Sequence, residues 1–95
     1  MKFDKIIHEP TRLRVMMILA GLEQADFNFL VTTLSLTRGN LSRHVEKLES
    51  AGYLKVKRSF KGKVRNTSYQ LTQKGSKALA QYWENLDAVR RLGQS

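Results

Sequence analysis

Six cations stand between positions 55 and 65 with no acid among them: Lys55, Lys57, Arg58, Lys61, Lys63 and Arg65. The segment reads Y-L-K-V-K-R-S-F-K-G-K-V-R-N-T-S-Y-Q-L-T, two alternating runs around Lys61-Gly62-Lys63. Alternation of period two with a glycine-bearing turn predicts a β-hairpin. A hairpin this cationic does not suit a protein core at its tip. Its chemistry is contact with a polyanion, and nucleic acid is the leading candidate. The plainer role is a solvated hairpin whose charge blocks edge-to-edge pairing. The preceding helix favours the first role, because it carries a cationic face of its own.

Other chemistries find little support. Nucleases need clustered carboxylates to hold metal ions, and the eight acids here are dispersed. No Ser/His/Asp set or phosphate-cradling glycine loop can be assembled, so no enzyme is expected. The absence of cysteine removes disulfides and thiolate metal sites and is compatible with a reducing cytosol. His44 sits at the edge of an apolar stripe, where packing or hydrogen bonding is its expected role. His8 precedes Pro10 and is expected at the surface. No H-x-x-x-H pair exists, and Glu46 falls off the face of His44, so neither metal nor cofactor is expected.

The 95 residues suit one domain, 1–95, able to bury roughly 60–65% of its unfolded surface. The formal charge of +9 is uneven. From Arg38 to Arg65 there are nine Lys/Arg against Glu46 and Glu49, a net +7; the remainder carries +2. A charge serving only solubility would be spread out. A polybasic membrane patch is the competing reading, but no amphipathic anchor or lipidation signal accompanies it. The start M-K-F-D-K-I-I-H-E-P places charge and proline where a signal peptide needs an apolar run. No segment approaches the ~20 apolar residues of a membrane span. The expected location is cytoplasmic.

The elements that must position these groups follow from periodicity. Pro10 suits a first helical turn. Leu13, Met16, Met17 and Ala20 then fall at the spacing of one helical face, with Val15, Ile18, Leu19 and Leu22 on its flanks. Asp26 can cap a second helix with Phe27, Leu30, Val31 and Leu34 on one side. Thr37 can cap a third, in which Leu41, Val45 and Leu48 form a narrow stripe. Gly52 lies where a left-handed residue closes a helix, and Tyr53 can supply the accompanying apolar contact. Leu54 and Val56 face Tyr69 and Leu71 in the hairpin. Thr72 caps a last helix with Ala78, Leu79, Tyr82, Trp83, Leu86 and Val89 along it. The expected fold class is α+β, in the order α-α-α-β-β-α.

Two short helices joined tightly, the second exposing cations, form a helix-turn-helix pattern. With Leu41, Val45 and Leu48 inward, Gly39, Arg43, Glu46 and Ser50 point out. Asn40 and Lys47 lie on one flank and Ser42 on the other. The N-terminal half of such a helix meets base edges. Here it holds Thr37, Arg38, Gly39, Asn40, Ser42 and Arg43. Arginine can bond guanine in bidentate fashion, asparagine adenine, and serine either base or phosphate. Gly39 removes bulk beside free backbone N–H groups that favour phosphate. Glu46 could accept from cytosine, but pairing with Arg43 is the favoured reading.

L-S-L-T-R-G-N-L-S-R-H-V-E-K-L-E-S-A-G-Y-L-K-V, the basic hairpin and Y-Q-L-T-Q-K-G together resemble the winged helix-turn-helix of bacterial and archaeal transcription regulators. The similarity is greatest to small single-domain members allied to the MarR and ArsR families, and it covers roughly residues 10–80. It implies a sequence-specific regulator of double-stranded DNA. Residues 37–51 would then be the recognition helix and 60–66 the wing, with Lys57, Arg58, Lys61, Lys63 and Arg65 as further contacts. Arg65 falls where wing arginines of such proteins enter the minor groove, although the acid that often braces that arginine is missing. Ser35 stands where the turn often carries glycine. A docking or RNA-binding winged-helix module of a larger complex is the alternative.

The last helix is long for so small a domain, and its stripe outruns one core. Residues 73–92 are therefore the expected dimerisation helix, with Tyr82, Trp83, Leu86 and Val89 at the interface and help from Phe3, Ile6 and Ile7. A homodimer would set two recognition helices about 34 Å apart on an inverted-repeat operator. The sequence says nothing of a small-molecule effector.

Overall fold

A side chain caps the start of every helix in this computed structural model, which describes residues 2–94. Glu9 caps α1 (Pro10–Ala20), Asp26 caps α2 (Phe27–Leu34), Thr37 caps α3 (Arg38–Ser50) and Thr72 caps α4 (Gln73–Leu92). Each accepts from a backbone N–H that the helix itself leaves unpaired. The Glu9 Oε1 bond to Arg12 N is 2.7 Å and the Asp26 Oδ1 bond to Phe29 N is also 2.7 Å.

The exits are as specific. Gly52 follows α3 with φ +83°, while Tyr53 N donates to Leu48 O and Gly52 N to Glu49 O, both at 2.9 Å. That is the Schellman pattern, and it turns the chain directly into the sheet. α2 ends the same way, with Leu36 N donating to Val31 O and Ser35 N to Thr32 O. Ser35 holds φ +53° there, doing without a glycine.

The strands are β1 (Ala25–Asp26), β2 (Leu54–Lys61) and β3 (Val64–Leu71), antiparallel and ordered β1-β3-β2. The expected order α-α-α-β-β-α holds with one addition. β1 is two residues long and exists by pairing Ala25 with Tyr69 and Asp26 with Ser68. The hairpin turns on Gly62 and Lys63 between the pair Lys61 and Val64, with φ +64° at Gly62. A positive φ at the first central position alone fits a type II′ turn, which matches strand twist.

Val15, Met16 and Leu19 of α1, Leu30 of α2, Leu41, Val45 and Leu48 of α3, Leu54 and Tyr69 of the sheet, and Leu79 and Tyr82 of α4 form one core with Ile7. The inward face of α1 differs from the expected one. Arg12, Val15, Met16 and Leu19 are buried, Leu13 is half-buried, and Met17 and Ala20 face out. The helix is apolar nearly all round, so spacing alone admitted two faces, and the buried Arg12 decides between them.

Candidate nucleic-acid interface

α3 lies across the core on Leu41, His44, Val45 and Leu48. Its opposite side carries Gly39, Ser42, Arg43, Glu46, Lys47 and Ser50, all exposed, with Asn40 half-buried. The capping bond from Asn40 N to Thr37 Oγ1, 3.1 Å, uses the exposed Thr37 hydroxyl as an acceptor. A Cβ at Gly39 would meet nothing within 4 Å, so this first turn is open to a close partner.

Two arginines at this end are oriented by neighbours. Arg43 Nη2 donates to Asn40 Oδ1 at 2.8 Å. The expected pair between Arg43 and Glu46 is corrected: Glu46 forms no ion pair with a described residue. The neutral amide one turn back takes the guanidinium instead. Arg38 is drawn toward α2, with Nη1 donating to Asn28 Oδ1 at 2.6 Å and the guanidinium 4.8 Å from the Phe27 ring centre. Asn28 was not anticipated, because the tie joins two helices and leaves no local spacing signal.

Behind the exposed face lies a buried polar cluster. His44 accepts from Arg12 Nη1 at 3.2 Å, and Arg12 Nε donates to Ile6 O at 2.6 Å. Burial lowers the His44 pKa; Glu9, 3.7 Å away, opposes this, and the charges of Arg43, Arg12 and Lys47 add to the lowering. His44 is thus the packing and hydrogen-bonding residue expected, and Arg12 is the residue that was missed. Arg12, Val15, Met16 and Leu19 follow the spacing of one face, which could have revealed it.

Strand register sorts the hairpin cations onto two sides. Arg58 pairs across Thr67 and Phe60 across Arg65, on the side shared with Leu54, Val56 and Tyr69 that faces the helices. Lys55, Lys57 and Lys61 alternate to the outer side, and Lys63 sits in the turn. All six cations are exposed. Burial raises the Tyr69 pKa; the charge of Arg58 opposes this in part and Glu49 adds to the rise. Arg65 forms no ion pair with a described residue.

The base of the hairpin is held tightly. Thr72 Oγ1 donates to Gly52 O at 2.7 Å and Thr72 N to Tyr53 O at 3.0 Å. Tyr53 also donates to Asp4 Oδ2, and burial with that bond pushes its pKa up to about 12.

α4 divides in two. Its first half is seated through Gly75, Leu79 and Tyr82. The interface expectation for Tyr82 is corrected: it is 4% exposed and its hydroxyl lies 2.9 Å from His8 Nδ1, with Phe3 edge-on at 5.5 Å. Ile7 likewise belongs to the core. The N-terminal segment folds over this part of α4 and takes the aromatic ring inward. Trp83, Leu86 and Val89 remain 38%, 40% and 45% exposed.

Among the described residues, no three His, Asp or Glu side chains converge as a metal site, and no helix is long and apolar enough to cross a membrane.

Three helices, a helix-turn-helix exposing its second helix and a hairpin beyond it define the winged helix-turn-helix class. The chain belongs to the winged helix DNA-binding domain family, whose model matches residues 11–89. An uncharacterized protein of Methanocaldococcus jannaschii is 40% identical over 79 residues, 82% of this chain and 85% of that one. A transcriptional regulator homologue from Pyrococcus horikoshii is similar in structure, with TM-score 0.84 and 29% identity over 90% of this chain and 85% of that one. Bacillus subtilis PadR, solved in complex with operator DNA, shares the fold at TM-score 0.71 and 13% identity, over 79% of this chain and 47% of that one.

Proposed function

We propose that this DNA-binding protein is a sequence-specific transcription regulator that binds an inverted-repeat operator as a homodimer. α3 enters the major groove, where Arg43 and Asn40 read base edges and Ser42 and Lys47 flank them. Thr37, Gly39 and Arg38 fix the helix N-terminus on phosphate. Arg58 and Arg65 line the wing on the side of α3 and follow the same duplex into the adjacent minor groove or backbone. Lys57, Lys61 and Lys63 meet phosphates. Trp83, Leu86 and Val89 join the two protomers.

The observation that carries this reading is the co-location of charge and exposure. Residues 38–65, from the start of α3 to the hairpin, hold nine Lys/Arg, all exposed, against two acids. The operator complex of PadR, a protein of the same fold, supports it further.

Salt titration on duplex DNA and duplex RNA tests it. If each protomer neutralises about four phosphates, the dimer gives a log–log slope of about −7 on DNA. A slope near zero, or binding to RNA at least as tight as to DNA, overturns the reading.

A further inference from the structure

The wing is cationic along its length but apolar at its tip. Phe60 is 68% exposed and Val64 69% exposed, and neither packs on the core. Among the described residues, no ring or cation contact engages Phe60. A phenylalanine buries about 150–250 Å² once it finds a partner, so a ring left in water at a hairpin end forgoes a large apolar stabilisation. The turn does not require it, since Gly62 and Lys63 make the reversal. Protection against edge pairing does not require it either, because the neighbouring lysines supply that.

Strand register separates the two apolar side chains. Phe60 stands directly across from Arg65, with Arg58 two residues before it, all on the side that faces the helices. Directly opposed residues lie about 4.5–5.5 Å apart at Cβ, so the ring and the guanidinium share one contact surface. Val64 pairs with Lys61 and points the other way. A polyanion that meets these cations must also offer apolar surface to the ring. A duplex offers it at the faces of its bases, once a step is opened. The minor groove, about 6 Å wide, admits the side chains of a hairpin tip rather than the hairpin itself. Apolar wedges entering there part neighbouring base pairs and kink the duplex by roughly 20–90°. Such opening is easiest at the flexible pyrimidine–purine steps T-A and C-A, so a wedge discriminates sequence without a hydrogen bond to any base.

We infer that Phe60 is an apolar wedge that enters a base step in the minor groove beside each half-site and so selects a deformable pyrimidine–purine step there, an inference that rests on the regulator reading above. Arg65, directly across the hairpin, holds the anionic groove while the ring parts the step.

The intact chain is bound to a duplex selected by it from a random DNA pool, and unstacked thymines are mapped with permanganate. Bound wild type should make a thymine beside each half-site hyperreactive. Phe60→Ala, at an exposed position, should abolish that reactivity and weaken binding about tenfold, as loss of one base–aromatic stack does. Its circular dichroism should stay native and its salt slope unchanged, because no charge is removed. Phe60→Leu should retain the reactivity, since leucine also serves as a wedge. Changing the reactive step to A-A should weaken wild type but not Phe60→Ala. The inference is overturned by salt-dependent binding with no hyperreactive thymine, or by reactivity that survives Phe60→Ala. It is equally overturned if Phe60 instead governs capture on phosphatidylglycerol vesicles, which would assign the tip to a lipid surface. Failure to bind any duplex would overturn the regulator reading together with it.

Discussion

Arg12 of α1 donates to His44 of α3 at 3.2 Å, so the helix that bears the exposed cations is tied from behind to the helix that crosses the core. An arginine can only donate, so Nδ1 of His44 must be its unprotonated nitrogen. Acid therefore removes this bond and places a second positive charge beside the guanidinium.

Stability should fall on acidification through this pair. The folded pKa of His44 lies below its ordinary value of 6.5, with burial the largest cause. The unfolded chain then binds the proton more readily, so the contribution is complete above about pH 6.5 and is lost as pH falls toward the lower folded pKa. Calorimetric Tm measured from pH 7.5 to 5.0 should decline, and His44→Gln, which keeps an acceptor for Arg12, should flatten the decline. Equal slopes in the two proteins would show that His44 does not titrate against folding.

Arg43→Ala and Lys63→Ala should fail differently. Loss of a bidentate base contact costs about 1–3 kcal/mol at one position of the operator and leaves random duplex nearly unaffected. Loss of a phosphate contact weakens every sequence alike. Affinities on selected and random duplexes measure both. Equal loss on the two duplexes for Arg43 would move base reading to another residue.

The distal half of α4 should hold the dimer. Leu86→Glu with Val89→Glu places charge on exposed positions beyond the seated Tyr82, so the fold should survive. Sedimentation should show a monomer and circular dichroism a native helix content. Operator affinity should drop on the order of 10²-fold or more, since linked half-sites act through effective concentration. A double variant that stays dimeric would place the interface elsewhere.

Two glycines should respond with opposite signs to alanine. Gly39 faces open space in a helix, so Gly39→Ala should raise stability by roughly 0.5–1 kcal/mol while crowding bound DNA. A Cβ at Gly75 would lie 2.4 Å from Tyr53 O, so Gly75→Ala must push α4 off the hairpin base, costing about 1–3 kcal/mol. Urea denaturation reads both; matching signs would refute the contrast.

Much of this architecture was legible because its signals are local. The caps at Asp26, Thr37 and Thr72 and the turn-out at Gly52 each depend on residues within one helical turn. The pairing of Leu54 and Val56 with Leu71 and Tyr69 follows from alternation about Gly62. What escaped notice depends on distant partners. β1 is too short for any period and exists through Tyr69 and Ser68. Arg38 could be placed at the helix start, but not its tie to Asn28, ten residues away. Tyr82 shared a stripe with Trp83, and only the fold-back of Phe3 and His8 separates the buried ring from the exposed one. The exposed cations are visible in the sequence as a group, whereas their division between two sides requires the strand register.

The wing is a cantilever. Its root is clamped by Thr72, Tyr53 and Gly52, while of β2 only Leu54 is buried and Val56 half-buried against the core. The five residues beyond Val56 extend by about 16 Å, held along their length by the unbroken ladder to β3. A beam of that kind bends as one piece about its root, carrying Arg58, Arg65 and Lys63 together. On the proposed reading, a wing hinged at that root would follow a wider or narrower groove while α3, anchored on the other side of the clamp, keeps its aim.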